Sequence, residues 1–139
     1  MTRQEALARL LADVAEDVAA YRALTLLLEA QFEAALRHRS AALAQLADEV
    51  GAMVDTLDTR RRQRVVLVGA LLGPAGTMAQ AAELLKGASR RQLDANWAEL
   101  ERMVRECKRL NQRNSDFLTD QYTIMQRVLQ GEDQIYAPA

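Results

Sequence analysis

The chain has 139 residues and a formal net charge of −1, and 50% of its residues are hydrophobic although only 4% are aromatic. This length supports one domain with a modest core, and the near-neutral charge gives no reason to expect a polyanion such as nucleic acid as a partner. Ala and Leu supply the apolar content, and such a composition is typical of helices packed side by side.

The first predicted element is a long helix over residues 2–57. Thr2 and Glu5 have the spacing of a capping box, in which each side chain accepts a hydrogen bond from the other residue's backbone N–H. An apolar ridge with helical spacing follows, and after Leu36 it shifts by one place. We interpret this shift as a stutter that relaxes a left-handed supercoil. The ridge residues are Leu7, Leu11, Val14, Val18, Tyr21, Leu28, Phe32, Leu36, Leu43, Val50 and Leu57.

The middle of the chain is predicted to form two short helices, over residues 59–72 and 77–86. The first should end before Pro74, because proline disfavours helical backbone in the residue that precedes it. Thr77 is placed to cap the second helix, and Gly87 is placed to end it.

Four arginines lie close together in this region: Arg60, Arg61, Arg62 and Arg64. We interpret them as a solvated basic turn between helices. Contact with nucleic acid is the alternative, and it predicts a salt-dependent affinity for DNA or RNA. No aromatic residue lies among these arginines to stack on a base, which weakens that alternative.

The last predicted helix covers residues 89–130, and a polar tail, residues 132–139, follows it. The apolar seam of this helix advances in alternating steps of four and three residues, as one buried helix face requires. Two seam positions hold asparagine, and a buried amide lowers stability unless something else favours it. The seam consists of Leu93, Trp97, Leu100, Val104, Cys107, Asn111, Asn114, Leu118, Gln121, Met125 and Val128.

Two long helices joined by short ones predict an all-α fold. We expect a long antiparallel helical hairpin, a coiled-coil-like bundle with short helices in the connecting region. Residues 1–131 should form a single helical domain, and residues 132–139 should form a C-terminal tail.

The sequence contains little that could support catalysis. His38 is the only histidine and Cys107 the only cysteine, so one chain can build neither a two-histidine metal site nor a cysteine-based one. The loop around Pro74 lacks the lysine of a phosphate-binding loop. We therefore expect no enzymatic activity, no cofactor and no metal.

Membrane and secretion signals are also missing from the pattern. Charged residues interrupt every short apolar run near the N-terminus, unlike in a signal peptide. The apolar segment 65–72 is too short to span a bilayer as a helix. We expect a cytoplasmic protein without stable membrane insertion.

Association with another helix is better supported. From Leu110 onward the apolar surface broadens to Phe117 and Ile124, while Leu118 and Met125 stay on the seam. Such an arc has more apolar surface than one partner helix can cover. Short helices of the same chain could cover the excess, with an asparagine that fixes the register. Alternatively, the arc takes up an amphipathic helix of another protein.

Several of these features occur together in one known family. The features that resemble the FlgN family of flagellar export chaperones are Trp97, the run Leu110-Asn111-Gln112-Arg113-Asn114, the long amphipathic helix around them, and a tail with Ile135-Tyr136. The long N-terminal helix that leads into the basic, glutamine-bearing stretch at residues 60–64 agrees in type.

The resemblance implies a cytoplasmic chaperone for the hook-associated proteins, the junction subunits between flagellar hook and filament. Family members bind the C-terminal helical region of these subunits, prevent premature assembly and bring them to the export gate of the flagellar type III secretion system. The candidate cargo-binding residues are Met103, Cys107, Leu110, Asn111, Asn114, Phe117, Leu118, Ile124, Met125, Val128 and Leu129. The candidates for docking to the export gate are Ile135 and Tyr136.

Two other interpretations stay open at the level of sequence. The principal one is a structural coiled-coil subunit that dimerises through the same seam and has no export role. The other is a small helical regulator that contacts nucleic acid through the arginines at residues 60–64. The resemblance itself also implies homodimers when cargo is absent.

Overall fold

The computed structural model describes the backbone of residues 1–136 and the side chains of residues 1–131. The described backbone contains no strand and forms four helices: α1 (Arg3–Leu36), α2 (Ser40–Leu72), α3 (Met78–Ala82) and α4 (Gly87–Tyr136). The predicted all-α fold is confirmed. None of these helices, over the residues described, has both the length and the apolarity needed to cross a membrane.

Two helix starts follow the capping chemistry expected from the sequence. The Glu5 N–H donates to Thr2 Oγ1 at 3.1 Å, and the Thr2 N–H donates to Glu5 Oε2 at 3.3 Å. Thr77 caps α3 in the same reciprocal way with Gln80, at 3.2 and 3.0 Å. Each box satisfies two backbone donors that a helix start would otherwise leave unpaired.

The predicted single helix over residues 2–57 is wrong, because the chain reverses direction at residues 37–39. The His38 N–H donates to the Ala35 carbonyl at 3.2 Å, and the Arg39 N–H donates to the Ala34 carbonyl at 2.9 Å. This pair of bonds is a Schellman motif, and His38 has the left-handed φ of +54° that the motif requires. Glycine is usual at this position, and histidine adopts the left-handed region more readily than most other residues. The one-place shift of the apolar ridge after Leu36 marks this turn and is not a stutter.

The other predicted boundaries hold in part. α2 ends at Leu72, directly before Gly73, as expected, but residues 59–72 are the last part of α2 and not a separate helix. α3 is only five residues long. Gly87, with φ of +61°, begins α4 and does not end α3. α4 continues past its predicted end at residue 130, because a single glycine such as Gly131 weakens a helix without ending it.

α1 and α2 form an antiparallel hairpin. Asp13 of α1 lies beside Arg64 of α2, and Asp17, further along α1, pairs with the earlier Arg60. Partners that advance along one helix as they retreat along the other define an antiparallel pair.

α4 packs along the other side of α1 and runs parallel to it. Thr25 of α1 meets Cys107 of α4, and Phe32, two turns later, meets Phe117. The helical hairpin bundle is therefore confirmed, but α2 takes the place that we expected for the last helix as the antiparallel partner of α1.

The core is a row of three apolar clusters along α1. The first cluster contains Ala6, Leu10, Leu67, Val68 and Ala81. The second contains Val14, Val18, Ala82, Leu93, Leu100 and Met103. The third contains Leu24, Leu28, Leu57, Cys107 and Leu110. Ala81 of α3 joins the first cluster and Ala82 joins the second, so the short helix α3 closes one end of the bundle between α2 and α4.

The arginine cluster lies inside α2, so its interpretation as a solvated turn is wrong. Arg60 and Arg64 turn towards α1 and bind Asp17, whose side chain is fully buried. The Arg60 Nε lies 2.7 Å from Asp17 Oδ1, and Arg64 binds the other carboxylate oxygen. The other two arginines of the cluster pair with Asp58 on the surface of α2. These pairings neutralise much of the charge that a nucleic acid would need.

Candidate functional site

The structure divides the candidate cargo-binding residues according to whether α1 covers them. The covered group is at most 6% exposed and consists of Met103, Cys107, Leu110 and Asn114. The uncovered group is at least 51% exposed and consists of Ile124, Met125, Val128 and Leu129. Asn111 is exposed, and Phe117 and Leu118 are half-buried at the boundary. In this conformation, therefore, the covered group cannot touch a partner.

Cys107 is a packing residue between α4 and α1. Its Sγ lies 3.4 Å from Thr25 Oγ1 and 3.8 Å from the backbone oxygen of Tyr21. Burial raises the pKa of the Cys107 thiol, so the thiol stays protonated at neutral pH. A protonated, buried thiol is a poor nucleophile and a poor metal ligand.

Asn114 explains why an amide occupies the apolar seam. It is 2% exposed, and its Nδ2 donates to the Leu28 carbonyl at 2.8 Å and to Gln31 Oε1 at 2.9 Å. Its Oδ1 accepts from the Arg113 guanidinium at 3.1 Å. The amide thus joins α4 to the last turns of α1 at a single register. The neighbouring seam asparagine, Asn111, is exposed and takes no part in this contact.

An aromatic pair next to Asn114 joins α4 to α1 near the end of α1. The rings of Phe32 and Phe117 lie with their centroids 5.4 Å apart. The Arg113 guanidinium lies 3.9 Å from the centroid of the Phe32 ring and also pairs with Glu29 at 3.3 Å. A guanidinium at this distance gains a cation–π attraction. Phe117 therefore anchors α4 to α1, and its half-buried side chain is only partly accessible to a partner.

Replacing Asn114 with Leu should lower the free energy of unfolding by about 1–3 kcal/mol, since the Leu28 carbonyl and Gln31 would lose their buried donor. The exposed Asn111 offers a matched control, and Asn111→Leu should change stability by no more than about 0.5 kcal/mol. Urea unfolding of the two variants measures the difference. A more stable Asn114→Leu variant would mean that these hydrogen bonds do not stabilise the fold.

Beyond Phe117 the last helix extends past the end of its partner. α1 ends at Leu36, four residues after Phe32, whereas α4 continues to Tyr136. We call residues 118–131 the α4 overhang. The side chains of Ile135 and Tyr136, the candidates for docking to the export gate, lie outside the described part of the chain.

The overhang presents a broad apolar arc. Five large apolar side chains are 51–67% exposed there: Tyr122, Ile124, Met125, Val128 and Leu129. They extend two neighbouring seams, Leu118-Tyr122-Met125-Leu129 and Phe117-Gln121-Ile124-Val128, each with steps of four, three and four residues. Tyr122 was missing from the sequence-based candidates, although the spacing of the first seam indicates it. An uncovered arc of this width can bury an amphipathic helix.

Comparison with known proteins identifies the family of this chain. The family described as "FlgN protein" matches residues 1–131, which is nearly the whole chain. No curated protein matches the chain significantly, and no solved structure does. The family match covers both the α1–α4 interface and the overhang. This chain therefore belongs to the FlgN family of flagellar export chaperones.

Proposed function

We propose that this chain is a cytoplasmic chaperone that holds the C-terminal helical region of a hook-associated protein on the α4 overhang. Binding there prevents premature assembly, and the chaperone delivers its cargo to the flagellar type III export gate. The observation that carries the proposal is the apolar arc of the overhang, whose five large side chains are more than half exposed. Monomeric proteins rarely leave a contiguous apolar surface uncovered unless it binds something.

The chemistry of the arc suits a cargo segment that is disordered before binding. Such a segment can fold as an amphipathic helix and bury its apolar stripe between the two seams of the overhang. Met125 lies in the middle of the arc, and its flexible thioether side chain can adapt to cargoes of different shape. Asn111 is exposed nearer to the bundle and is available to a cargo backbone. The covered residues, such as Leu110, support the overhang indirectly by fixing α4 to α1.

A titration of the full chain with C-terminal fragments of hook-associated proteins, followed by calorimetry, tests the proposal. We expect saturable binding with one fragment per chain. The absence of binding to every fragment, together with a tight dimer by light scattering, would favour a structural coiled-coil subunit instead.

The residues after the overhang are proposed to dock to the export gate through Ile135 and Tyr136. Deleting residues 132–139 should leave the cargo affinity unchanged in the same titration, because the apolar arc stays intact. Export of the hook-associated proteins by cells that carry the deletion should fall. Export at the wild-type level would dismiss the tail as a docking element, whatever the cargo affinity.

A further inference from the structure

A groove separate from the overhang runs between α2 and α4. It consists of two adjoining cavities of about 370 and 410 Å³ that share Arg61, Arg64 and Trp97. Tyr21 of α1 lies at its floor. Along α2 the lining extends from Arg61 to Gly73, which corresponds to about 18 Å of helix, or roughly three turns. We call this depression the α2–α4 groove.

The groove is lined by the residue types that dominate protein interfaces. Its walls are apolar at both ends, with Val65 and Met78 on one side of Trp97 and Val104 on the other. Trp97 is the only tryptophan of the chain, and it is half-buried. The Arg64 guanidinium lies over its indole ring, with the guanidinium carbon 6.0 Å from the ring centroid. Val65 is 62% exposed. Tryptophan, tyrosine, methionine and arginine are enriched at interface centres.

Gly69 is the second independent sign of a partner. It lines the groove from within α2, where glycine lowers helix stability relative to alanine. A Cβ placed on Gly69 would meet no atom within 4 Å, so the packing of the chain itself does not require a glycine there. A glycine facing open space on a groove wall permits another backbone to approach closely.

The charge of the groove selects the partner. Three arginines and one acid line it: Arg61, Arg64, Arg105 and Glu101. Arg64 is neutralised by Asp17 behind it, whereas the single carboxylate of Asp58 is shared by Arg61 and Arg62, so this pair keeps one excess positive charge. Arg61 and Arg105 lie exposed on opposite walls of the groove. Within the described side chains Arg105 takes part in no ion pair. A helix that binds between these two arginines has the best electrostatic complementarity if acidic residues flank its apolar stripe.

We propose that the α2–α4 groove binds an amphipathic helix of a partner protein, about three turns long, whose apolar stripe is flanked by acidic residues. The axis of this helix would follow α2 in either direction, and its apolar stripe would contact Trp97. Its backbone would lie against Gly69, and its carboxylates would pair with Arg61 and Arg105. This site does not depend on the proposed cargo site, since it shares no residue with the α4 overhang.

Trp97 makes the test direct, because it is the only tryptophan of the chain and lines both cavities of the groove. The probe is a synthetic 16-residue helix without tryptophan, with leucines spaced four and three residues apart and glutamate on both flanks. We expect a saturable change in Trp97 fluorescence that weakens as salt is added. The same peptide with lysine in place of each glutamate should bind at least tenfold more weakly.

Two glycine substitutions locate the binding. Gly69→Leu should fill the groove and weaken peptide binding at least tenfold, while the thermal stability of the chain stays equal or rises. Gly51→Leu is the matched control, because Gly51 lies in the same helix outside the groove, and a Cβ there also meets no atom within 4 Å. This control should bind the peptide like the wild type.

Three outcomes would overturn the proposal. The first is an absence of binding by the glutamate peptide. The second is unchanged binding by the Gly69→Leu variant, which would place the peptide elsewhere. The third is tighter binding of a peptide with the sequence of residues 116–136, which would identify a second copy of this chain as the occupant.

Discussion

Replacing Asp17 with Asn is expected to lower the free energy of unfolding by about 3–5 kcal/mol, one of the largest effects of any single substitution in this chain. Asp17 is 0% exposed and pairs with Arg60 and Arg64, whose side chains are only 16% and 12% exposed. Its loss would leave two largely buried guanidinium groups without their shared carboxylate. Arg60 would keep only the exposed Glu16, at 3.2 Å, and Arg64 only Asp13, at 3.8 Å. The damage arises from this loss of the buried countercharge, since asparagine has nearly the same size as aspartate. Urea unfolding at neutral pH measures the loss.

Asp13 supplies the control, because the same substitution there should have the opposite sign. It lies one turn before Asp17 and is 6% exposed, but neither of its oxygens accepts a hydrogen bond, and Arg64 is 3.8 Å away. The ionised form of Asp13 therefore loses its hydration without full compensation. Asp13→Asn should raise the stability at neutral pH. Equal destabilisation by Asp13→Asn and Asp17→Asn would contradict this division of roles.

The stability gained by Asp13→Asn should also depend on pH. Burial raises the pKa of Asp13 above its ordinary value, and the nearby Arg64 opposes this effect only in part. The native chain therefore holds the proton to a higher pH than the unfolded chain does. The stability that this proton contributes is present at acidic pH and is lost as the pH rises through the native pKa. The advantage of the variant should thus be largest at neutral pH and should shrink as the pH falls towards about 4.

Replacing Met125 with Asp should weaken cargo binding at least about a hundredfold, because an unpaired carboxylate would be buried in an apolar interface. Met125 is 57% exposed in the unbound chain, so the substitution removes little packing within the chaperone. Its helical content and unfolding midpoint should therefore stay near those of the wild type. Calorimetric titration with the C-terminal cargo fragments measures the affinity.

Thr123 provides a control with the same side chain introduced on the opposite face of the overhang. Thr123 is exposed, and its neighbours three and four residues away along the helix are all polar, so it lies outside both apolar seams. Thr123→Asp should retain nearly the full affinity for cargo. If Met125→Asp and Thr123→Asp bind equally well, the cargo contact lies elsewhere on the chaperone.

Much of the fold could be predicted because its signals are local. Thr2 and Thr77 each lie three residues before a partner that completes a capping box, so spacing alone identifies both helix starts. The end of α2 before Gly73 follows in the same way from the restriction that Pro74 imposes. The turn at His38 has no such signal, since its Schellman bonds form around a histidine where glycine would be the usual residue.

That missed turn also explains what could not be predicted about the site. The periodicity of α4 identifies which side chains share a face, but only the end of α1 at Leu36 decides which part of that face stays uncovered. Residues of α4 that lie alongside α1, such as Leu110, are buried in the bundle. Residues of α4 beyond the end of α1, such as Met125, are exposed. The partners of Asn114 are likewise supplied by α1, so the sequence around the amide could not distinguish a register contact from a binding contact.

Amide hydrogen exchange of the full chain, with and without a cargo fragment, tests the central claim most directly. Without cargo, the amides of residues 122–130 should exchange quickly, because the side chains of this part of α4 are all exposed and lie beyond the end of α1. Cargo should slow exchange there at least tenfold and leave the residues around Leu110 unchanged. Slower exchange confined to other parts of the chain, or faster exchange around Leu110 as α1 is displaced, would contradict the assignment of the overhang as the cargo site.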